Sequence, residues 1–184
     1  MKYKFVSVLL FAVILSFSSY SDAGTLIVGA NLEFVEGSFS GEAFDGGLGF
    51  HLGYEFREWK KWKFGSLFEF MDGWYKQEDL DAVGEMAYDS KSLYATARPV
   101  GWPLLFKAGI VDANYTVLQR ESPQQFRDVS KTGYAYGVSL VLGNEKFRLD
   151  IIDYKRIKIG NDNFTSYGIS LGIIFGAHGS FTSN

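Results

Sequence analysis

Cysteine is absent, only three prolines and two histidines occur in 184 residues, and no apolar run beyond the first two dozen residues approaches the ~20 needed for a membrane helix. Without thiols there can be no disulfide framework, thiolate zinc site, iron–sulfur cluster or cysteine nucleophile. With 18 Lys and Arg against 21 Asp and Glu, the formal charge of −3 is no footprint for nucleic acid. Against these absences stand 47% hydrophobic residues, 17% aromatic residues and 21 glycines, at a mean hydropathy of −0.01. This chain is too apolar to be disordered and has the length of one domain. Glycine weakens helix and strand alike unless something requires a missing side chain, so many aromatics beside many glycines need a common cause.

Residues 1–23 read as a cleaved signal peptide. Lys2 and Lys4 precede an apolar stretch from Phe5 to Phe17, and Ser21-Asp22-Ala23 supplies the small residues of a cleavage site. Losing Lys2, Lys4 and Asp22 with it leaves an acidic product of charge −4 beginning at Gly24. An exported, thiol-free chain follows.

Beyond Gly24 the apolar pattern has a period of two, the mark of strands. Eight are expected, near 25–35, 46–57, 63–74, 91–98, 104–118, 132–142, 146–157 and 164–175. One face is large and apolar: Leu26, Val28, Leu32 and Phe34, then Leu48, Phe50, Leu52 and Tyr54, and later Tyr167, Ile169, Leu171, Ile173 and Phe175. The other is small with scattered charges, as in Gly47, Gly49, His51, Gly53, Glu55 and Gly133, Ala135, Gly137, Ser139. A soluble lipocalin-like barrel would turn its second face to water and fill it with long polar side chains. A narrow membrane barrel reverses the logic, because lipid meets the large apolar face and the crowded interior admits Gly, Ser, Ala and paired charges. The glycines argue for an interior. The fold class expected is all-β, an eight-stranded antiparallel up-and-down transmembrane barrel over 24–175, followed by a short periplasmic tail, 176–184.

The connections support this. Long polar ones, Val35 to Asp45, Tyr75 to Ser90 and Gln119 to Lys131, alternate with short ones such as Pro99-Val100-Gly101-Trp102-Pro103 and Gly143-Asn144-Glu145. A seventh connection of about six residues is expected between the last two strands. Trp59, Trp62 and Trp102 fall by the short turns, with Trp74 and Tyr75 at the opposite end, as two aromatic girdles would.

Gly49-Phe-His-Leu-Gly-Tyr-Glu-Phe56, Leu105-Phe-Lys-Ala-Gly-Ile110, Gly133-Tyr-Ala-Tyr-Gly-Val-Ser-Leu140 and Phe147-Arg-Leu-Asp-Ile151 resemble strands of the OmpA-like, eight-stranded outer-membrane β-barrel proteins of Gram-negative bacteria, the small porin-family barrels. The likeness covers nearly all of the chain after Gly24. It departs at the end, since such barrels usually stop at the aromatic residue of the last strand, whereas nine residues follow Phe175.

The resemblance and the alternation together place a polar network of Glu33, His51, Glu55, Glu69, Arg98, Lys107, Arg148 and Asp150 in the lumen. Charges there must pair, because an unpaired buried ion costs several kcal/mol. The resemblance implies that such pairs plug or gate a small conduit; a packed, non-conducting interior stands beside that reading, since eight strands leave room for little but side chains. Ile152-Asp153-Tyr154 breaks the alternation, marking a bulge or the membrane edge.

No catalytic site, cofactor or metal is expected. Gly168-Ile-Ser-Leu-Gly172 matches a nucleophile elbow in letters but lies inside an alternating strand. His51 and Glu55, four residues apart on a strand, lie about 13 Å apart, too far to share a proton or metal. His178-Gly179-Ser180 resembles the His-x-Ser of outer-membrane lipid A deacylases, which need a glutamate further on; four residues follow Ser180 and none is Glu. Three function classes remain: a structural barrel with at most minor pore activity, an adhesin-type binder of host or matrix through loop residues Phe39, Phe44, Leu80, Met86 and Tyr88, and a lipid A-modifying enzyme. The expected partners are outer-membrane lipid and lipopolysaccharide and the outer-membrane assembly machinery, with no nucleic acid, for a monomer in the cell outer membrane.

Overall fold

In a computed structural model of the chain, residues 24–37, 46–56, 58–74, 87–118, 126–144 and 146–176 are described. Residues 1–23 and 177–184 lie outside them. Eight strands, β1 (Thr25–Gly37), β2 (Gly46–Glu55), β3 (Trp62–Trp74), β4 (Ala87–Pro99), β5 (Leu104–Leu118), β6 (Phe126–Gly143), β7 (Phe147–Ile159) and β8 (Asp162–Gly176), pair in chain order. The sheet closes where β1 meets β8, from Thr25 against Gly176 to Gly37 against Phe164, all antiparallel. Closure leaves no open strand edge.

Both faces follow from the pleat. Leu48, Phe50 and Leu52 point out while Gly47, His51, Gly53 and Glu55 point in. Outward residues, apart from Ser66 on β3, are apolar over a belt that ends within one outward step on neighbouring strands: Phe70 gives way to Asp72, Leu93 to Lys91, Ile110 to Asp112, Tyr134 to Thr132, Tyr154 to Arg156 and Tyr167 to Thr165. The expected eight-stranded barrel is therefore present, with its large apolar face outside.

Three boundaries differ from the expectation. β4 begins at Ala87 rather than 91, and β6 at Phe126 rather than 132, because both strands run on past the belt. There Asp89 on β4 and Ser130 and Thr132 on β6 take the outward positions next to the belt, so the period-two signal fades although the ladder continues. Between β7 and β8 only Gly160 and Asn161 remain, where about six connecting residues were expected. Gly160 takes φ 63°, which permits a two-residue hairpin closing on Ile159 and Asp162.

At the opposite end, Trp59 and Trp62 exchange backbone hydrogen bonds of 2.8 and 3.0 Å around Lys60 and Lys61, at φ 49° and 65°. This is a tight turn with two left-handed residues, a role usually taken by Asn-Gly. Lys60 Nζ lies 4.6 Å from the centroid of the Trp59 ring. Trp59, Trp62 and Trp102 are exposed at this end, with the chain's strand termini Thr25 and Gly176. Tyr75 lies outside the described residues, and Trp74 ends β3 at the other end.

The departure from alternation in β7 is a bulge. Val138 faces Tyr154 and Leu140 faces Ile151, so three residues of β7 span two of β6; the same excess occurs against β8 between Asp150 and Asp153. Ile152, at φ 52°, is the extra residue and projects outward. Inward positions are therefore Arg148 and Asp150 before the bulge, and Asp153, Lys155, Ile157 and Ile159 after it.

Candidate functional site

The lumen is the concave feature of the fold, and side chains from all eight strands fill it in layers. Nearest the short turns, Glu55 at the end of β2 accepts from Arg98 Nη2 at 3.1 Å and from Arg148 Nη1 at 3.2 Å. Arg148 also grips Asp150 through Nε and Nη2, at 2.6 and 2.7 Å. Two same-face residues on one strand, Arg148 and Asp150, thus form a bidentate pair, the geometry the planar guanidinium favours.

The next layer centres on two lysines. Lys107 Nζ on β5 donates to Glu69 Oε1 at 3.1 Å and to Asp153 Oδ2 at 2.7 Å. Lys155 Nζ on β7 donates to Glu69 Oε2 at 2.8 Å and to Glu33 Oε1, and stands 3.8 Å from Asp153. Neutral groups complete the shell: Ser166 Oγ donates to Glu33 at 2.6 Å, Ser139 Oγ to Asp153 at 2.8 Å and Asn31 Nδ2 to Glu33 at 2.6 Å. Oxygens of Glu33, Glu69 and Asp153 lie close enough to suggest a cation triad, all within 4.8 Å of one another. The Lys155 ammonium already stands among all three and supplies the positive charge that a metal would bring.

His51 lies between these layers, opposite Glu69 across the β2–β3 ladder. Its ring is packed against two backbones that have no side chain to offer: a Cβ on Gly29 would come 2.6 Å from Nε2, and one on Gly172 would come 3.2 Å from it. Both glycines are inward, so their smallness makes room for the imidazole. Here the composition of the interior has a local cause.

Toward the long connections the filling becomes apolar. Val35, Leu67, Met71, Tyr94, Val111 and Ala135 pack with Tyr88, Tyr115, Ile157, Ile159 and Phe164 in one buried cluster. Phe164 meets Tyr115 edge-on at 5.2 Å between centroids and Tyr88 at 5.7 Å. Tyr94 joins the two regions, with Lys107 Nζ 5.5 Å from its ring centroid.

All eight residues assigned to a lumen network point inward and are buried. Sequence reasoning missed two central ones, Asp153 and Lys155, together with Asn31, Ser139 and Ser166 as hydrogen-bonding partners. The signal was the break at Ile152-Asp153-Tyr154; a one-residue bulge there turns the odd-numbered residues of β7 inward. Tyr88, assigned to a surface loop, is a correction: it lies in β4, 1% exposed, with its side chain in the aromatic cluster. It was misplaced because β4 starts four residues earlier than the apolar pattern indicates. Phe39, Phe44, Leu80 and Met86 lie outside the described residues, as does His178-Gly179-Ser180. Ser170 faces inward in the middle of β8, with no strand-to-helix turn at hand.

No protein-family model matches the chain, and no curated protein matches it. Among solved structures it is similar to Ail, the attachment invasion locus protein of Yersinia pestis, at 19% identity and a TM-score of 0.55 over 83% of this chain and 97% of that one. A second structure of that protein, in complex with the heparin analogue sucrose octasulfate, gives 20% identity and a TM-score of 0.53 over 83% of this chain and 99% of that one. Neisserial surface protein A is also similar, with 16% identity and a TM-score of 0.48 over 83% and 99% of the two chains.

Proposed function

We propose, from a fold shared with the small eight-stranded outer-membrane barrels, that the chain is an exported, non-enzymatic barrel of the bacterial outer membrane with a structural role and a sealed lumen. Its short turns and strand termini would face the periplasm and its long connections the cell surface. The observation that carries this reading is the outward belt. Leu48 and Phe50 on β2, Ile110 on β5 and Ile169 and Leu171 on β8 are each half or more exposed, and outward residues of the belt on the strands between them are apolar apart from Ser66. A continuous apolar surface around a whole barrel is far more than a water-soluble monomer tolerates, and it matches what lipid requires. The residues 1–23 with a leader's pattern, and three exposed tryptophans at one rim, support the same location. Outer-membrane lipid, lipopolysaccharide and the assembly machinery are the partners this location implies, for a monomer.

A sealed lumen is favoured over a pore because ion pairs fill one half of the interior and aromatic rings the other. Single-channel recording tests this: the folded full chain, added to planar bilayers, is expected to give no discrete steps at neutral pH. Steps that change when Glu69 is replaced by Gln would establish the pore reading instead.

A second reading, recognition at the cell surface, has one support. Ail is named for attachment and invasion and has been seen with a heparin analogue, and this chain shares its fold. Loop residues Phe39, Phe44, Leu80 and Met86 are the ones to test for it, by deleting 76–86 and measuring adhesion to host cells or matrix. Unchanged adhesion would remove that loop from consideration. For a lipid A-modifying enzyme, the inward Ser170 within β8 gives no support.

A further inference from the structure

The buried charges of the lumen do not balance. Among the described residues five carboxylates are buried there, Glu33, Glu55, Glu69, Asp150 and Asp153. Only four fixed cations stand against them, Arg98, Lys107, Arg148 and Lys155. His51, buried beside them, is the side-chain type that gains a positive charge near neutral pH. With the imidazole neutral, Glu69 bridges two lysines, accepting from Lys107 at 3.1 Å and from Lys155 at 2.8 Å. It is also the carboxylate that both lysines can release, because Lys107 keeps Asp153 at 2.7 Å and Lys155 keeps Glu33. Asp150, by contrast, is gripped through both oxygens by Arg148, and Glu55 joins two arginines.

His51 has Gly29 on β1 and Glu69 on β3 as its ladder neighbours. Its ring leans toward β1, away from Glu69: a Cβ on Gly29 would come 2.5 Å from Cε1, and one on Gly172 of β8 would come 3.2 Å from Nε2. Among the described residues the ring has no hydrogen-bond partner. The charges that reach it are Glu69 from β3, Asp150 and Arg148 from β7 and Lys107 from β5, while β1 and β8 meet it with glycine. Residues directly opposite on one face of a ladder have Cβ atoms about 5 Å apart. A turn of the His51 side chain to another staggered position therefore carries the ring to the Glu69 carboxylate with the backbone in place.

We propose that His51 is a proton-operated switch of the lumen network, with Glu69 as the group it moves. Neutral, the ring rests on the two glycines and Glu69 holds both lysines. Protonated, the ring crosses β2 and takes Glu69 from them. Each buried carboxylate then has its own cation: His51 with Glu69, Lys107 with Asp153, Lys155 with Glu33, Arg148 with Asp150 and Arg98 with Glu55. Such one-to-one pairing is what ions removed from water require. The exchange shortens a tie. A bridge from β3 across the lumen to β5 and β7 becomes a contact between the adjacent strands β2 and β3. Acid thus loosens the interior of the barrel while the backbone ladder and the aromatic half of the lumen stay as they are.

The test uses the full chain carrying His178→Gln, which leaves His51 as its only histidine, folded in detergent micelles with isotope-labelled histidine. Ring nitrogen shifts report the proton, and cross-relaxation from the ring Cε1 proton to the Gly29 and Gly172 α-protons reports its position. Between about pH 7.5 and about pH 4.5 the ring is expected to become charged and both glycine cross-peaks to weaken about tenfold or more. With Glu69→Gln added, the charged ring is expected to stay over the glycines. A ring that charges without leaving them, or that stays neutral at about pH 4.5 in a folded barrel, overturns the switch in the unsubstituted network alone. Departure from the glycines in the Glu69→Gln protein as well overturns the role of Glu69. Either failure leaves the sealed membrane barrel standing, since that reading rests on the outward belt.

Discussion

Lys155 and Arg156 are neighbours in sequence and opposites in environment. Lys155 is 2% exposed, with Glu33, Glu69 and Asp153 around its ammonium, whereas Arg156 projects from the barrel. Replacing Lys155 by Met leaves Glu33 with neutral donors only and Glu69 with Lys107 alone, and breaking a buried ion pair from one side costs about 3–5 kcal/mol. Arg156→Met, losing a solvated group, is expected to stay within about 0.5 kcal/mol. Urea titration of the two variants in the same lipid or detergent checks this; equal midpoints would mean that the lumen network adds nothing to stability. At this scale the sequence was readable wherever alternation held. Glu33, Glu69 and Lys107 were placed inside by parity alone, but Asp153 and Lys155 have the wrong parity until the extra residue Ile152 is counted. Tyr88 failed for a different reason: tyrosine suits a loop, a girdle or a core equally, and its strand began outside the apolar belt.

The elements were legible in proportion to how much outward apolar surface they carry. β1, β2 and β5 alternate along their length and were located closely, whereas beyond the belt β4 carries Asp89 and β6 carries Ser130 and Thr132 at outward positions and looked like loop. A barrel strand is held by its two neighbours' backbone hydrogen bonds, which side-chain patterns do not report. The same is true of the hairpin at Trp59-Lys60-Lys61-Trp62, where nothing in two lysines suggests left-handed residues. A non-glycine residue in that conformation costs roughly 1–2 kcal/mol. Lys60→Asn with Lys61→Gly, which supplies the residues the turn geometry favours, is therefore expected to raise the unfolding free energy by about 1 kcal/mol. Thermal or urea unfolding of the double variant measures it; a loss of stability would indicate that the Lys60 contact with the Trp59 ring outweighs the backbone strain.

At the scale of the whole molecule, near-zero mean hydropathy conceals two surfaces of opposite character. The glycines, serines and paired charges belong to the inside and most of the large side chains to the outside, which is the inverse of a water-soluble barrel. Such an inversion fails in water and succeeds in lipid, so the central claim concerns the solvent of the folded state. The most direct measurement is refolding of the full chain from urea into phospholipid vesicles, followed by electrophoresis with and without boiling. A compact, faster-migrating band that forms only with lipid or detergent and disappears on boiling is the predicted result; a folded, monodisperse protein in buffer without either would contradict it.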